Sequence, residues 1–101
     1  AKGSPVIVAG TTNLRLDSGG DAGDADVWAG FLKAADLTDS CRVNGCKDQS
    51  RVDRVAYRSG KGASLEATIE RVPRDRFVDG DGKPLSQRPP VEVTFAWKPA
   101  P

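Results

Sequence analysis

The sequence predicts an α+β domain, with one main helix beside a mostly antiparallel sheet of about four strands. Three observations predict it: one segment carries apolar residues at helical spacing, several others alternate apolar and polar residues, and Gly-, Asp- and Pro-containing turns separate them. Residues 1–98 are expected to form a single domain, with 99–101 as a tail.

Taken in order, Val6-Ile7-Val8-Ala9 is a short β-branched run stopped by Gly10, and it reads as a strand covered on both faces. A Gly- and Asp-rich loop follows. Trp28, Phe31, Leu32 and Ala35 then recur at the i, i+3, i+4, i+7 spacing of an amphipathic helix, which Asp24 or Asp26 would cap. Asp36 to Gln49 has no period and reads as a loop around Cys41 and Cys46. From Arg51 to Arg58, Asp53, Val55 and Tyr57 share one face of a strand, and Ser59-Gly60-Lys61-Gly62 supplies the turn of a hairpin. In the partner strand Leu65, Ala67 and Ile69 point inward and alternate with Glu66, Thr68 and Glu70. Arg74 to Phe77 reads as a short helical turn and Asp79-Gly80-Asp81-Gly82 as a tight turn. In the last strand Val91, Val93, Phe95 and Trp97 share one face.

With only one helix to cover a two-faced sheet, one apolar face is expected to need a partner, so self-association follows from the pattern. A chain of 101 residues supports one modest core and not two. Hydrophobic residues at 38% and charged residues at 29% give a globular balance rather than a disordered one. Fifteen Lys and Arg against fourteen Asp and Glu leave a net charge of +1, so bulk electrostatics give no support for nucleic-acid binding. The longest apolar run, Pro5 to Ala9, is far short of the roughly 20 residues that span a bilayer, and no membrane association is expected. The chain has no Met and no basic-then-apolar leader, so Ala1 is expected to be a processed or engineered end.

Cys41 and Cys46 flank Asn44-Gly45, a turn-forming spacing that can close a small disulfide loop and points to an oxidising, extracellular or secreted location. The alternative is a pair of reduced thiols. Two Cys without any His do not complete a four-ligand zinc site.

Three segments carry a family resemblance through their order and spacing. Val6-Ile7-Val8-Ala9-Gly10-Thr11-Thr12-Asn13 is similar to a strand followed by Gly-Asp-x-Asn. Ser50-Arg51-Val52-Asp53-Arg54-Val55 is similar to Ser-Arg-Ile-Asp-x-Val, and Leu85-Ser86-Gln87-Arg88-Pro89-Pro90-Val91 to a closing Ser-Asp-His-x-Pro-Val. Together they resemble the C-terminal half of a secreted bacterial member of the endonuclease/exonuclease/phosphatase superfamily, whose fold is similar to deoxyribonuclease I. The resemblance implies half of a four-layer α/β sandwich and, in the complete family, magnesium-dependent cleavage of phosphate esters.

The departures from those motifs bear on chemistry. Thr11 stands where the family has an aspartate that activates water, while Asn13 keeps the companion amide. Gln87 stands at the closing aspartate and Arg88 at the histidine, and Arg88 remains protonated and cannot accept a proton. Asp53 matches the aspartate that supports that histidine and is expected to pair with Arg88 instead. Thr11, Asn13, Asp53, Gln87 and Arg88 are thus the family-equivalent positions, with no catalytic set intact and no magnesium or other cofactor held.

Arg88 with Arg51, Arg54 and Asn13 could bind a phosphate; the simpler reading is a solvated arginine paired with Asp53. Asp17, Asp21, Asp24 and Asp26 lack the regular spacing of a calcium loop and read as loop and cap residues. Trp28 and Trp97 lie on apolar stripes as core or interface anchors. The leading expectation is a pseudoenzyme, a non-catalytic half-domain, natural or engineered, that forms a homodimer. One alternative is the C-terminal portion of a phosphodiesterase or nuclease that needs a separate N-terminal half. Another is a phosphate- or nucleic-acid-binding module, with salt-sensitive affinity.

Overall fold

A computed structural model describes residues 3–15, 23–45, 52–73, 75–86 and 90–99. Its elements run β1 (Val6–Thr11), α1 (Asp24–Ala35), β2 (Thr38–Asp39), α2 (Ser40–Val43), β3 (Asp53–Arg58), β4 (Ala63–Arg71) and β5 (Glu92–Pro99). This is a small α+β fold with antiparallel strands and one main helix. The strands divide into a three-stranded sheet, ordered β1-β3-β2, and a two-stranded ribbon, β4-β5.

β3 is the centre of the first sheet because both of its edges are occupied. β1 pairs along its whole length, from Val6 opposite Arg58 to Thr11 opposite Asp53, and β2 takes the other edge at Tyr57 and Ala56. The hairpin expected between β3 and β4 therefore does not form a shared ladder. The turn itself is present: Gly60 and Ala63 exchange backbone hydrogen bonds, and Gly62 sits at φ +90°. Ser59 Oγ also donates to the Leu65 carbonyl and accepts from its N–H. β4 leaves from this corner, while α2 lies between it and β3, where the Asn44 amide donates to the Ala67 carbonyl. Gly60 is buried tightly enough that a Cβ there would collide with the backbone of Gly3 and Pro5.

α1 is placed by its apolar stripe, with Trp28 buried and its ring 5.7 Å from that of Phe31. Its N-terminus departs from expectation. Gly23 is the N-cap and no side chain caps the helix; Asp24 instead accepts the Arg15 N–H at 3.1 Å, tying the preceding loop to the first turn. At the other end Asp36 adopts a left-handed conformation (φ 57°), and the N–H groups of Asp36 and Leu37 return to the carbonyls of Lys33 and Leu32. Arg58 donates to the Ala35 carbonyl at 2.7 Å and so fastens the helix end to β3. Arg54, Ala56 and Arg58 alternate onto the α1 face of β3, and Asp53, Val55 and Tyr57 onto the other.

The segment read as a plain loop holds β2 and α2. Asp39 is the signal for the latter, since its side chain accepts the Cys41 N–H at the N-cap. Of the expected Arg74–Phe77 turn, Arg74 lies outside the described residues; Arg76 N–H closes a turn on the Pro73 carbonyl, and Phe77 follows at φ 57°. The Asp79–Gly82 turn forms as expected, with Asp79 Oδ1 accepting from the N–H groups of Asp81 and Lys83. Pro99, assigned to the tail, ends β5 opposite Ala63.

Two corrections change what the surface shows. β1 is not covered on both faces; it is an edge strand, and Ile7 and Val8 are 49% and 42% exposed. In β4 the alternation breaks at a bulge between Ala67 and Ile69, where Thr68 is the extra residue. One inserted residue exchanges the faces of everything after it. Ala67, opposite Phe95, is buried, Ile69 turns outward to 53% exposure, and Glu70 turns inward to accept the Ser40 hydroxyl.

The ribbon meets the first sheet where Phe95 packs edge-on against Tyr57, ring centroids 5.1 Å apart, on the side away from α1. Beyond that contact Trp97 is 68% exposed, so of the two tryptophans read as anchors only Trp28 is in the core. The molecule is a plate of 48 × 36 × 19 Å. Its accessible surface of 6866 Å² exceeds the roughly 5,500 Å² of a compact protein of this mass. No helix among the described residues is long and apolar enough to cross a membrane.

Candidate functional site

The segments quoted for the resemblance converge on one cleft. β1 brings Ala9, Gly10 and Thr11 and β3 brings Asp53 and Val55, while Leu85, Ser86, Pro90 and Val91 flank the closing motif; the cavity is about 490 Å³. Thr11 and Asp53 are direct cross-strand partners. The adjoining Thr12 N–H bonds the Val52 carbonyl, which makes the Thr11/Asp53 position a non-hydrogen-bonded pair, the geometry in which side chains lie closest. Thr11 Oγ1 donates to Asp53 Oδ1 at 2.6 Å.

Asn13 follows at φ 60°, a left-handed conformation that asparagine tolerates better than most residues. The turn is held by Thr12, whose hydroxyl donates to the Val52 carbonyl and accepts the Leu14 N–H. Of the five positions singled out in the sequence, the structure brings Thr11 and Asp53 into contact and leaves Asn13 exposed two residues beyond. Gln87, Arg88 and the expected Asp53–Arg88 pair lie outside the described residues, as do Arg51 and Cys46.

Arg54, considered above as a phosphate ligand, has another role. Its side chain is 1% exposed and Nη1 lies 3.5 Å from Asp39 Oδ2, which also accepts Trp28 Nε1 at 2.9 Å. Asp39 Oδ1 takes the Cys41 N–H at 2.9 Å. Helix α1, the cap of α2 and the central strand thus share one buried carboxylate. Such a pair is costly to desolvate and costlier to break, because the surviving charge would be left buried. Arg54 is therefore structural. The residue types alone could not reveal this, since Arg54 and Asp39 come together only through β2–β3 pairing.

The rim contains residues that sequence reasoning passed over. Phe77 and Leu85 are 64% and 67% exposed beside the cleft, joined by a Leu85 N–H bond to the Phe77 carbonyl. The signal was available in their apolar character outside any period. Asp24 and Asp26 lie in α1; Asp17 and Asp21 are outside the described residues. Among the described residues no group of three or more His, Cys, Asp or Glu is arranged to hold a metal ion. Cys41 is fully buried in α2, and no described cysteine is free.

Comparison with family models, curated proteins and solved structures finds no match.

Proposed function

We propose that this chain is a non-hydrolytic half-domain, related to metal-dependent phosphodiesterases, that associates with a second copy of itself. The observation that carries this reading is the Thr11–Asp53 hydrogen bond at the foot of the cleft. Where the resembled family has a carboxylate to activate water, a hydroxyl stands and spends its proton on the neighbouring aspartate. A threonine hydroxyl is no base near neutral pH, and Asp53 Oδ1 is engaged by that hydroxyl.

The same reading has Gln87 and Arg88 replacing a metal-preferring carboxylate and a titrating imidazole, so no magnesium is held. A Cys41–Cys46 disulfide and an extracellular location belong to the proposal, supported by the burial of Cys41 and by the turn between the two cysteines. Self-association is supported by the apolar groups left in water, Ile7 and Trp97 among them, and by a surface larger than a compact monomer of this mass exposes.

The test is hydrolysis of a generic phosphodiester with magnesium, by the purified chain and by the triple variant Thr11→Asp, Gln87→Asp, Arg88→His. The chain is expected to show no turnover above buffer. Turnover that is lost on chelation and in Asp53→Asn would overturn the reading.

A further inference from the structure

We infer that the outer edge of β1 is the self-association site, and that two copies pair β1 against β1 antiparallel, about a two-fold axis centred on Val8. The inference deepens the self-association in the proposed function and rests on that part of it, but not on the phosphodiesterase relationship.

β1 is the terminal strand of its sheet, and no described strand lies along its outer side. Natural edge strands are protected by charges, prolines or bulges. Val6–Thr11 contains none of these: its sequence is VIVAGT, and it pairs with β3 without a register shift. The Thr12 N–H to Val52 carbonyl bond sets the phase of that ladder. In an antiparallel pair the groups alternate, so the N–H and C=O of Val8 and Gly10 face β3 while those of Ile7 and Ala9 face outward. The Ser40 hydroxyl bonding the Val55 carbonyl on the far side of β3 agrees with this phase, since Val55 is the partner of Ala9.

Centring the axis on Val8 pairs Ile7 of each copy with Ala9 of the other and satisfies four outward groups in each strand. Val8 then meets Val8 in a non-hydrogen-bonded pair, the closer of the two cross-strand spacings. Val8 is 42% exposed and lies in a groove of about 330 Å³ with Val27 and Phe31 of α1, themselves 58% and 42% exposed. The partner strand would cover that groove. Val6 would stand opposite Gly10, where an added Cβ meets nothing within 4 Å, so the space is open to receive it. Pro5, which has no N–H, ends the ladder one step further out and disfavours longer registers.

The accessible surface exceeds that of a compact monomer of this mass by more than 1,000 Å² on the order-of-magnitude scaling, so there is surface for a second copy to cover, and a standard interface takes about 800 Å² from each partner.

Sedimentation of the full chain across a concentration series should show a reversible dimer, and amide exchange should slow at Ile7 and Ala9 as concentration rises. Ala9→Pro removes an outward donor and no β1–β3 bond. It should raise the dimer dissociation constant about 30-fold, as expected for two lost hydrogen bonds across the axis. Val8→Lys, which sets like charges opposite each other, should give a monomer with an unchanged circular dichroism spectrum. Should Ala9→Pro fail to fold, Val8→Lys and the exchange pattern decide alone. A chain that stays monomeric at all concentrations overturns the inference, as does a dimer indifferent to Val8→Lys but lost in Trp97→Ser. It is also overturned if Ile7 and Ala9 are protected in a monomer only when an added upstream segment is present. Phosphodiester turnover by the chain would sink the functional reading and leave this one standing.

Discussion

The two sides of β3 are built differently. On the α1 side, Trp28, Asp39, Arg54 and Ala56 are all buried, and one carboxylate links helix, cap and strand. On the other side the ribbon touches β3 through Tyr57 and Phe95, while Ile7, Phe77, Leu85 and Trp97 remain largely in water. A helix with an apolar stripe covers the middle of a three-stranded sheet, leaving Val8, Val27 and Phe31 half-exposed toward the β1 edge, but a two-stranded ribbon has too little face to cover as much. Stability should therefore be concentrated on the helix side and capacity for association on the other side and at the β1 edge.

The largest expected effect attacks the dense side. Asp39→Ala removes the carboxylate 3.5 Å from buried Arg54 and frees Trp28 Nε1 and the α2 cap; chemical denaturation should report a loss of about 3–5 kcal/mol. A loss below about 1 kcal/mol would mean that the buried carboxylate is not what joins these elements.

Next comes the corner between the two regions. Gly60→Ala forces a methyl group against the Gly3–Pro5 backbone, and a loss of about 1–3 kcal/mol should appear in the same assay. An unchanged midpoint would show that the N-terminal segment can move aside without cost.

The loose side should yield smaller numbers. A double-mutant cycle with Tyr57→Leu and Phe95→Leu should give a coupling of about 0.5–1.5 kcal/mol, the worth of an edge-on aromatic pair. Coupling near zero would detach the ribbon from the first sheet altogether.

The smallest expected effect is the most discriminating. Ile69→Lys should change stability by no more than about 0.5 kcal/mol, because the bulge has turned this residue outward. Unbroken alternation would put a charge in the core at this position and cost several times as much.

Much of the fold was legible in the residues. The α1 stripe from Trp28 to Ala35, the Gly60–Gly62 and Asp79–Gly82 turns and the strands around Asp53, Leu65 and Val93 all lie where periodicity and turn chemistry put them. Of the site, Thr11 and Asp53 were singled out in the sequence, but their contact comes from the β1–β3 register, and the exposed Phe77 and Leu85 on the rim carried no periodic signal. The role of Arg54 was not legible, because a cation in a motif looks the same whether it faces a ligand or a buried aspartate.

What the sequence determined by itself was therefore the kind of each element, because helix and strand periods are properties of neighbouring residues. Only the tertiary structure decided that β3 pairs with β1 and β2 rather than with β4, that Thr68 bulges and turns Glu70 inward, and that β1 is left at an edge. Those outcomes depend on which strand reaches an open row of backbone donors and acceptors, and that competition is between segments far apart in the chain.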